Sequence, residues 1–254
     1  MNTSPTLKAP HDSSVAEEVL SFASHDRSRF EVRVEEGCFL VHAERWVDGA
    51  VMRVGTVFTT SQYQELKAFS SGECEANPKL EIERKWRPEV PKDLPGLEAF
   101  VGQATSSHSI KQGYLVIDTV EVRLRRQDDV YFLTLKSDGG LVRKEVEIAL
   151  SAEQFEDLWP ATEGQRLEKM RSKHSIGTSE SDTVVVEVDR FCGEHSGLIV
   201  VECEFANQQA AGRFKAPACF GTEVTESKEH KNRSLVIHGV PVPPLSGLSF
   251  SISA

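Results

Sequence analysis

The segment Glu81-Ile82-Glu83-Arg84-Lys85 sets two carboxylates and an ammonium at alternate positions. Side chains two apart on a β-strand share one face, so Glu81, Glu83 and Lys85 point the same way. The pattern recurs down the chain. Glu121, Arg123 and Arg125 alternate in one segment, Thr134 and Lys136 in the next, then Arg143, Glu145 and Glu147. Glu187 and Asp189, and finally Glu202 and Glu204, repeat it. Clustered carboxylates suit hard, oxygen-seeking cations such as Mg2+ or Mn2+. Clustered Lys and Arg grip phosphate oxygens, Arg in bidentate fashion. Together they describe a site for a metal-bound phosphate chain, where the metal neutralises charge and activates water.

The residues between these charges are mostly apolar: Ile82, Val122, Leu124, Leu133, Leu135, Val146, Ile148, Val186, Val188 and Val201. For one strand alone, the simplest account is a half-exposed sheet with its charges turned to water. Repetition weakens that account, because most of these strands are sorted by charge. A solvated face would mix Ser, Thr, Gln and both signs. The expected fold is mainly β (α+β): a closed antiparallel barrel, charged inside and apolar outside where short helices cover it.

The bulk numbers are compatible with this. The chain has 254 residues, 39% hydrophobic and 27% charged, with a formal net charge of -10. An acidic surface does not attract polyanions, so any phosphate chain needs a local basic site. The five cysteines form no C-x-x-C pair, which argues against a zinc knuckle or disulfide framework and for a reducing compartment. No apolar run is long enough for a bilayer and Met1 to Ser14 lacks a signal-peptide core, so a cytoplasmic protein with no membrane partner is expected. The eight histidines are scattered with no H-x-x-x-H, and neither a Gly-rich phosphate loop nor a serine nucleophile elbow occurs.

The ordered set of segments from Leu80 to about Gly239 closely resembles the CYTH superfamily of triphosphate tunnel metalloenzymes. The resemblance is carried by Glu81 to Lys85, Gln112-Gly113-Tyr114-Leu115, Glu121 to Arg125, Leu133 to Lys136 and Arg143 to Glu147. It continues through Lys169-Met170-Arg171, Glu187-Val188-Asp189, Val201 to Glu204 and Glu223-Val224-Thr225. Leu158 to Gly164 and Val224 to Asn232 are most similar to the short bacterial inorganic triphosphatases. The resemblance implies an antiparallel barrel of about eight strands that hydrolyses tripolyphosphate to pyrophosphate and phosphate with Mg2+ or Mn2+. It implies metal binding by Glu81, Glu83, Glu145, Glu147, Asp189, Glu202 and Glu204. It implies phosphate binding by Lys85, Arg123, Arg125, Lys136, Arg143, Lys169, Arg171 and Lys231, with Glu81, Glu83 and Lys85 at the catalytic centre. Ser172, Arg190 and the pair Glu229-His230 depart from the family pattern at positions read as bearing on the tunnel rim. Rival readings are hydrolysis of thiamine, nucleoside or RNA 5′-triphosphates, a class IV type adenylate cyclase, and a non-catalytic polyphosphate-binding module.

The remaining segments read as appendages. Residues 1–28 are expected to be frayed, and 70–78 to be a polar linker. Between them, 29–69 reads as three strands (Phe30 to Val34, Phe39 to Trp46, Val51 to Phe58) and a helix, Ser61 to Phe69, capped by Thr60 or Ser61. This unit faintly resembles a small transcriptional-coactivator fold that binds single-stranded DNA. Its acidic residues balance its Arg and Lys, which favours a packing or dimerising role over nucleic acid. The tunnel domain spans 79–239 and a tail 240–254. A chain starting near Asn77 is expected to fold alone. Ser151 to Gln154 is a capping box opening a helix that Pro160 closes, and Asn207 to Phe214 reads as another helix.

Overall fold

The computed structural model describes residues 19–71, 82–137, 145–177 and 183–242. Glu81 and Arg143, and the expected linker beyond Ser71, lie outside them. Two antiparallel sheets and five α-helices make up the described chain. The first sheet runs in chain order through β1 (Val19–Ala23), β2 (Arg29–Glu35), β3 (Cys38–Val47) and β4 (Ala50–Phe58). Helix α1 (Thr60–Ser71) follows. Its cap is Thr59, not Thr60 or Ser61: Gln62 N donates to Thr59 Oγ1 at 3.3 Å and Thr59 N donates to Gln62 Oε1 at 2.9 Å. The Thr-x-x-Gln spacing permits this reciprocal pair. The strand β1 is a second correction, since it lies within the stretch expected to be frayed. Pairing of Leu20 with Val32 and Phe22 with Phe30 places two apolar side chains on the buried face, which holds it down.

The second sheet has nine strands in the order β13-β5-β12-β11-β10-β6-β7-β8-β9. They are β5 (Ile82–Arg87), β6 (Ser106–Ile117), β7 (Val120–Gln127), β8 (Val130–Ser137), β9 (Glu145–Leu150), β10 (Arg166–Ile176), β11 (Val184–Phe191), β12 (Ile199–Phe205) and the two-residue β13 (Thr222–Glu223). Eight full strands agree with the expected number, but their closure into a ring is not seen among the described residues. The outer edge of β5 is occupied instead: β13 pairs with Trp86 and Arg87, Val224 N donates to Lys85 O at 2.7 Å, and Lys85 N donates to Thr225 Oγ1 at 3.0 Å. Those backbone groups are therefore not available to β9.

Helices cover the apolar face. Helices α2 (Leu94–Val101) and α4 (Gln208–Arg213) flank a core of Trp86, Val186, Val188, Val201 and Phe205. Helix α3 (Ala152–Leu158) has the expected capping box, with Gln154 N donating to Ser151 Oγ, and gives way to a 3-10 turn at Trp159–Thr162 that contains Pro160. Helix α5 (Asn232–His238) lies on the other face. Leu235 packs with Leu167, Phe191 and Val200, while Arg233 pairs with Glu121 of β7 at 2.9 Å, so α5 bridges one end of the charged face. Among the described residues no helix is long and apolar enough to cross a membrane.

The first sheet shares its core with the large sheet. Phe30, Val32, Val41, Phe58, Leu66 and Phe69 share one buried cluster with Leu115, Val122, Leu124, Leu133, Leu135 and Ile148 of the large sheet. A second link is polar: Gln62 and Gln154 exchange amide hydrogen bonds at 3.0 Å, and Gln62 Nε2 donates to Ala149 O at 2.7 Å. A chain starting at residue 79 would bare this surface. Each fully buried Leu, Ile or Phe contributes about 1.5–3 kcal/mol, and several of them together match the whole stability of a domain. The truncated chain is accordingly expected to aggregate or lose its cooperative melting transition. A soluble product with a wild-type melting midpoint would show the cluster to be dispensable. On the solvent side of the first sheet, Arg29 and Arg33 pair with Glu31, and Arg53 with Glu44, leaving no uniformly basic surface.

Candidate active site

Strand register decides which charges meet. On β5 and β12, Glu202 is the cross-strand partner of Lys85, and Glu204 of Glu83. Glu202 faces Glu187 on β11, and Asp189 faces Arg171 on β10. On the other side of β6, Arg123 lies opposite Tyr114 and Thr134, Thr134 opposite Glu147, and Lys136 opposite both Glu121 and Glu145. Partners directly across an antiparallel ladder share a face. The single charged face read from the alternation is thus assembled, apart from Glu81 and Arg143.

One half of this face is a closed ionic network. Lys85 reaches Glu202 at 2.9 Å and Glu83 at 3.2 Å. Arg171 grips Asp189 with two bonds of 2.6 Å, from Nε to Oδ1 and from Nη2 to Oδ2. The same guanidinium contacts Glu202 at 3.0 Å and also pairs with Glu187. Lys169 Nζ donates to Asp189 Oδ2 at 2.5 Å and Lys173 pairs with Glu187 at 2.7 Å. Lys169 is only 2% exposed, so it lies beneath the surface that a ligand would touch. Burial first, then the Arg171 charge, pushes Lys169 down to about 8. Burial would also lower Lys85, but the carboxylates of Glu202 and Glu83 carry it above its ordinary value.

Burial by itself would raise Glu202 and Asp189. The charges of Lys85 and Arg171 at Glu202, and of Arg171 and Lys169 at Asp189, overcome it and hold both carboxyls below their ordinary values of 4.5 and 3.8. Folded protein then binds these protons more weakly than unfolded chain. The resulting stabilisation is complete above about pH 5 and is lost as pH falls through about 4 and lower. The melting midpoint should therefore drop steeply below pH about 4, and Lys85→Met should flatten that dependence. An unchanged slope in Lys85→Met would detach Glu202 from Lys85.

The other half is different. Arg123 and Arg125 stand side by side on β7, Arg123 only 6% exposed. Arg123 Nη2 donates to Thr134 Oγ1 at 3.3 Å, and the nearest carboxylate to Arg125 is Glu147 at 3.9 Å. The buried Nε–H groups of both arginines lack a hydrogen-bond partner among the described residues. The Arg123 charge first, and then burial, pushes Arg125 down to about 10. Two neighbouring, desolvated guanidiniums on the charged face form a basic site suited to an anion. Gln112 and Tyr114 of β6 complete its floor, Gln112 Nε2 donating to the Tyr114 hydroxyl at 3.2 Å. Sequence reasoning did not assign roles to these two, or to Glu187 and Lys173. The alternation places all four on the charged face and could have found them.

Lys136 pairs with Glu145 at 2.8 Å, and Lys231 stands at the start of α5. Among the described residues no three His, Cys, Asp or Glu side chains converge tightly enough to hold a metal ion. The chemistry of the set still fits one. Glu83 is 38% exposed, its cross-strand partner Glu204 is exposed, and both offer hard, acceptor-only oxygens. Asp189 and Glu202 each bond cations through both oxygens, Asp189 to Lys169 and Arg171 and Glu202 to Lys85 and Arg171, so a metal ion would share them with those partners. The departures from the family pattern leave most of this face untouched. Ser172 and Arg190 lie on the opposite face, Arg190 pairing with Glu98 at 3.0 Å. His230 sits beyond the β5 end, 3.5 Å from Arg87.

Comparison with known proteins finds inorganic triphosphatases. The inorganic triphosphatase of Nitrosomonas europaea is 48% identical over 130 residues, which cover 50% of this chain and 83% of that protein. The inorganic triphosphatase of Acetivibrio thermocellus is 34% identical over 129 residues, covering 50% of this chain and 78% of that protein. A crystal structure of an inorganic triphosphatase shares 40% identity, covers 65% of this chain and 97% of its own, and superposes with a TM-score of 0.47. No family model matches the chain. The chain belongs to the triphosphate tunnel metalloenzymes of the CYTH superfamily, in the branch of the bacterial inorganic triphosphatases.

Proposed function

We propose that the protein is a cytoplasmic, metal-dependent hydrolase that cleaves inorganic tripolyphosphate to pyrophosphate and phosphate within a tunnel walled by the charged face of the large sheet. The observation that carries this reading is the Arg123–Arg125 pair, largely buried, adjacent on the charged face and mutually repelling. A phosphate chain supplies the negative charge and acceptor oxygens that this pair lacks. Arg171 and Lys85 are already oriented by carboxylates and can clamp further phosphate oxygens as charge redistributes in the transition state. Lys136 extends the same row on β8. Glu83, Glu202 and Glu204, with Glu81, Glu145 and Glu147, would hold Mg2+ or Mn2+. When bound, the cation supplies charge neutralisation and an activated water. Lys169 and Asp189 act below the substrate by holding Arg171.

The test is phosphate release from a panel of tripolyphosphate, pyrophosphate, ATP, thiamine triphosphate and a 5′-triphosphorylated RNA, under Mg2+ and under Mn2+. Tripolyphosphate should give the largest kcat/KM, and activity should vanish in EDTA. A larger value for any nucleotide, or activity in EDTA, would refute the assignment.

A further inference from the structure

We propose that the N-terminal sheet is a working part of the phosphate site, and that Arg45 on β3 is a positioning residue that fixes the β6 bulge carrying Tyr114 against Arg123 and Arg125. The inference rests on the reading of that arginine pair as a phosphate clamp.

Arg45 is 4% exposed and stands on an otherwise apolar face with Phe30, Val32, Val41 and Ala43. Its only ionic contact among the described residues is Asp26 at 3.5 Å. Its donors go to the large sheet and the turn behind it: Nη2 to Tyr114 O at 3.1 Å and to Gln165 Oε1 at 2.6 Å, and Nε to Ala161 O at 2.7 Å. Replacing a buried charge by a well-packed apolar residue is often neutral or stabilising, so packing alone does not account for a guanidinium here.

The place it grips is informative. The β6–β7 register slips between Tyr114 and Val116, which is a bulge. A bulge re-aims side chains, and a slip of one residue would turn them to the opposite face. Here it leaves Tyr114 on the charged face, opposite Arg123, with Leu115 and Val116 in the apolar cluster behind. The Tyr114 hydroxyl lies fully buried within hydrogen-bonding range of Gln112 and Arg123. The same peptide therefore presents its side chain to the arginine pair and its carbonyl to Arg45. From behind, Thr162 packs so closely on Gly113 that a Cβ there would lie 2.6 Å from it. The bulge is held on its apolar side by two groups, and one of the holders belongs to the N-terminal sheet.

The experiment compares Arg45→Met with Val32→Ala, a substitution in the same apolar cluster whose side chain makes no hydrogen bond to the bulge. Each is read by melting midpoint, tripolyphosphate kinetics and amide exchange at Leu115 to Ile117. Arg45→Met should raise KM roughly tenfold with a smaller change in kcat, since a small misplacement remote from the chemistry is enough to weaken binding. It should also speed exchange at the bulge. Val32→Ala should lower the midpoint while leaving KM and bulge exchange at wild-type values. A folded Arg45→Met with wild-type KM and exchange overturns the proposal, as does a KM rise in Val32→Ala of equal size. If Arg45→Met fails to fold, Gln165→Leu removes an acceptor that orients Arg45, together with a hydrogen bond to Asp26 at 3.1 Å. It should then show the same KM rise in smaller measure, and an unchanged KM overturns the idea. If wild-type protein does not hydrolyse tripolyphosphate, the proposed function falls and bulge exchange alone decides the clamp.

Discussion

Arg125→Met is expected to lower kcat/KM for tripolyphosphate by two to three orders of magnitude and, without ligand, to raise the melting midpoint. The activity loss follows from removing a preorganised donor aimed at phosphoryl oxygens, worth about 3–4 kcal/mol in comparable sites. The stability gain follows from the electrostatics of the pair. The neighbouring Arg123 charge, and then burial, pushes Arg125 down to about 10, so the folded protein bears a cost for keeping it charged. Among the described residues the only carboxylate in contact with it, Glu147, is 3.9 Å away. Relieving that cost should be worth on the order of 2 kcal/mol, or roughly 5 °C in the midpoint. The two effects have opposite signs, which an ordinary structural arginine would not produce. A variant that is both less active and less stable would mean that Arg125 is a structural ion-pair member, and a variant with unchanged kinetics would remove it from the site.

The second large effect separates two carboxylates on neighbouring strands. Glu202→Gln and Glu83→Gln should each reduce turnover by at least roughly a hundredfold, because an amide is a poor ligand for a hard cation. Their stabilities should diverge. Glu202 is 12% exposed and contacts both Lys85 and Arg171, so its neutralisation leaves two largely buried cations short of a counter-charge. Breaking a buried pair in this way costs about 3–5 kcal/mol. Glu83 is 38% exposed and among the described residues pairs only with Lys85, itself still paired with Glu202, so its loss should cost less than about 1 kcal/mol. Melting curves, Mg2+ titration calorimetry and steady-state rates on both variants check this. Equal stability losses would contradict the network, and full Mg2+ affinity in Glu83→Gln would move the metal elsewhere.

Much of this protein is local in origin and so can be read from its residues in order. A period of two assigns each strand one charged and one apolar face, which is why Glu83 and Lys85, or Arg123 and Arg125, were placed together correctly. Side-chain capping is equally local, and Ser151 with Gln154 forms the expected box. Other features depend on residues far apart in the chain. Alternation cannot say which carboxylate a cation will meet, and it does not reveal that Lys169 and Arg171 bond both oxygens of Asp189. It cannot say that residues 222–225 would take the free edge of β5, since that pairing joins backbone groups more than a hundred positions apart. Nor can it reveal that the apolar face of residues 29–69 is the complement of β6 to β9. An apolar stripe shows that a surface must be buried, and only the tertiary structure names what buries it. Arg45 is the sharpest case: in sequence it is one arginine on a surface-like strand, and in the fold it holds the backbone of Tyr114.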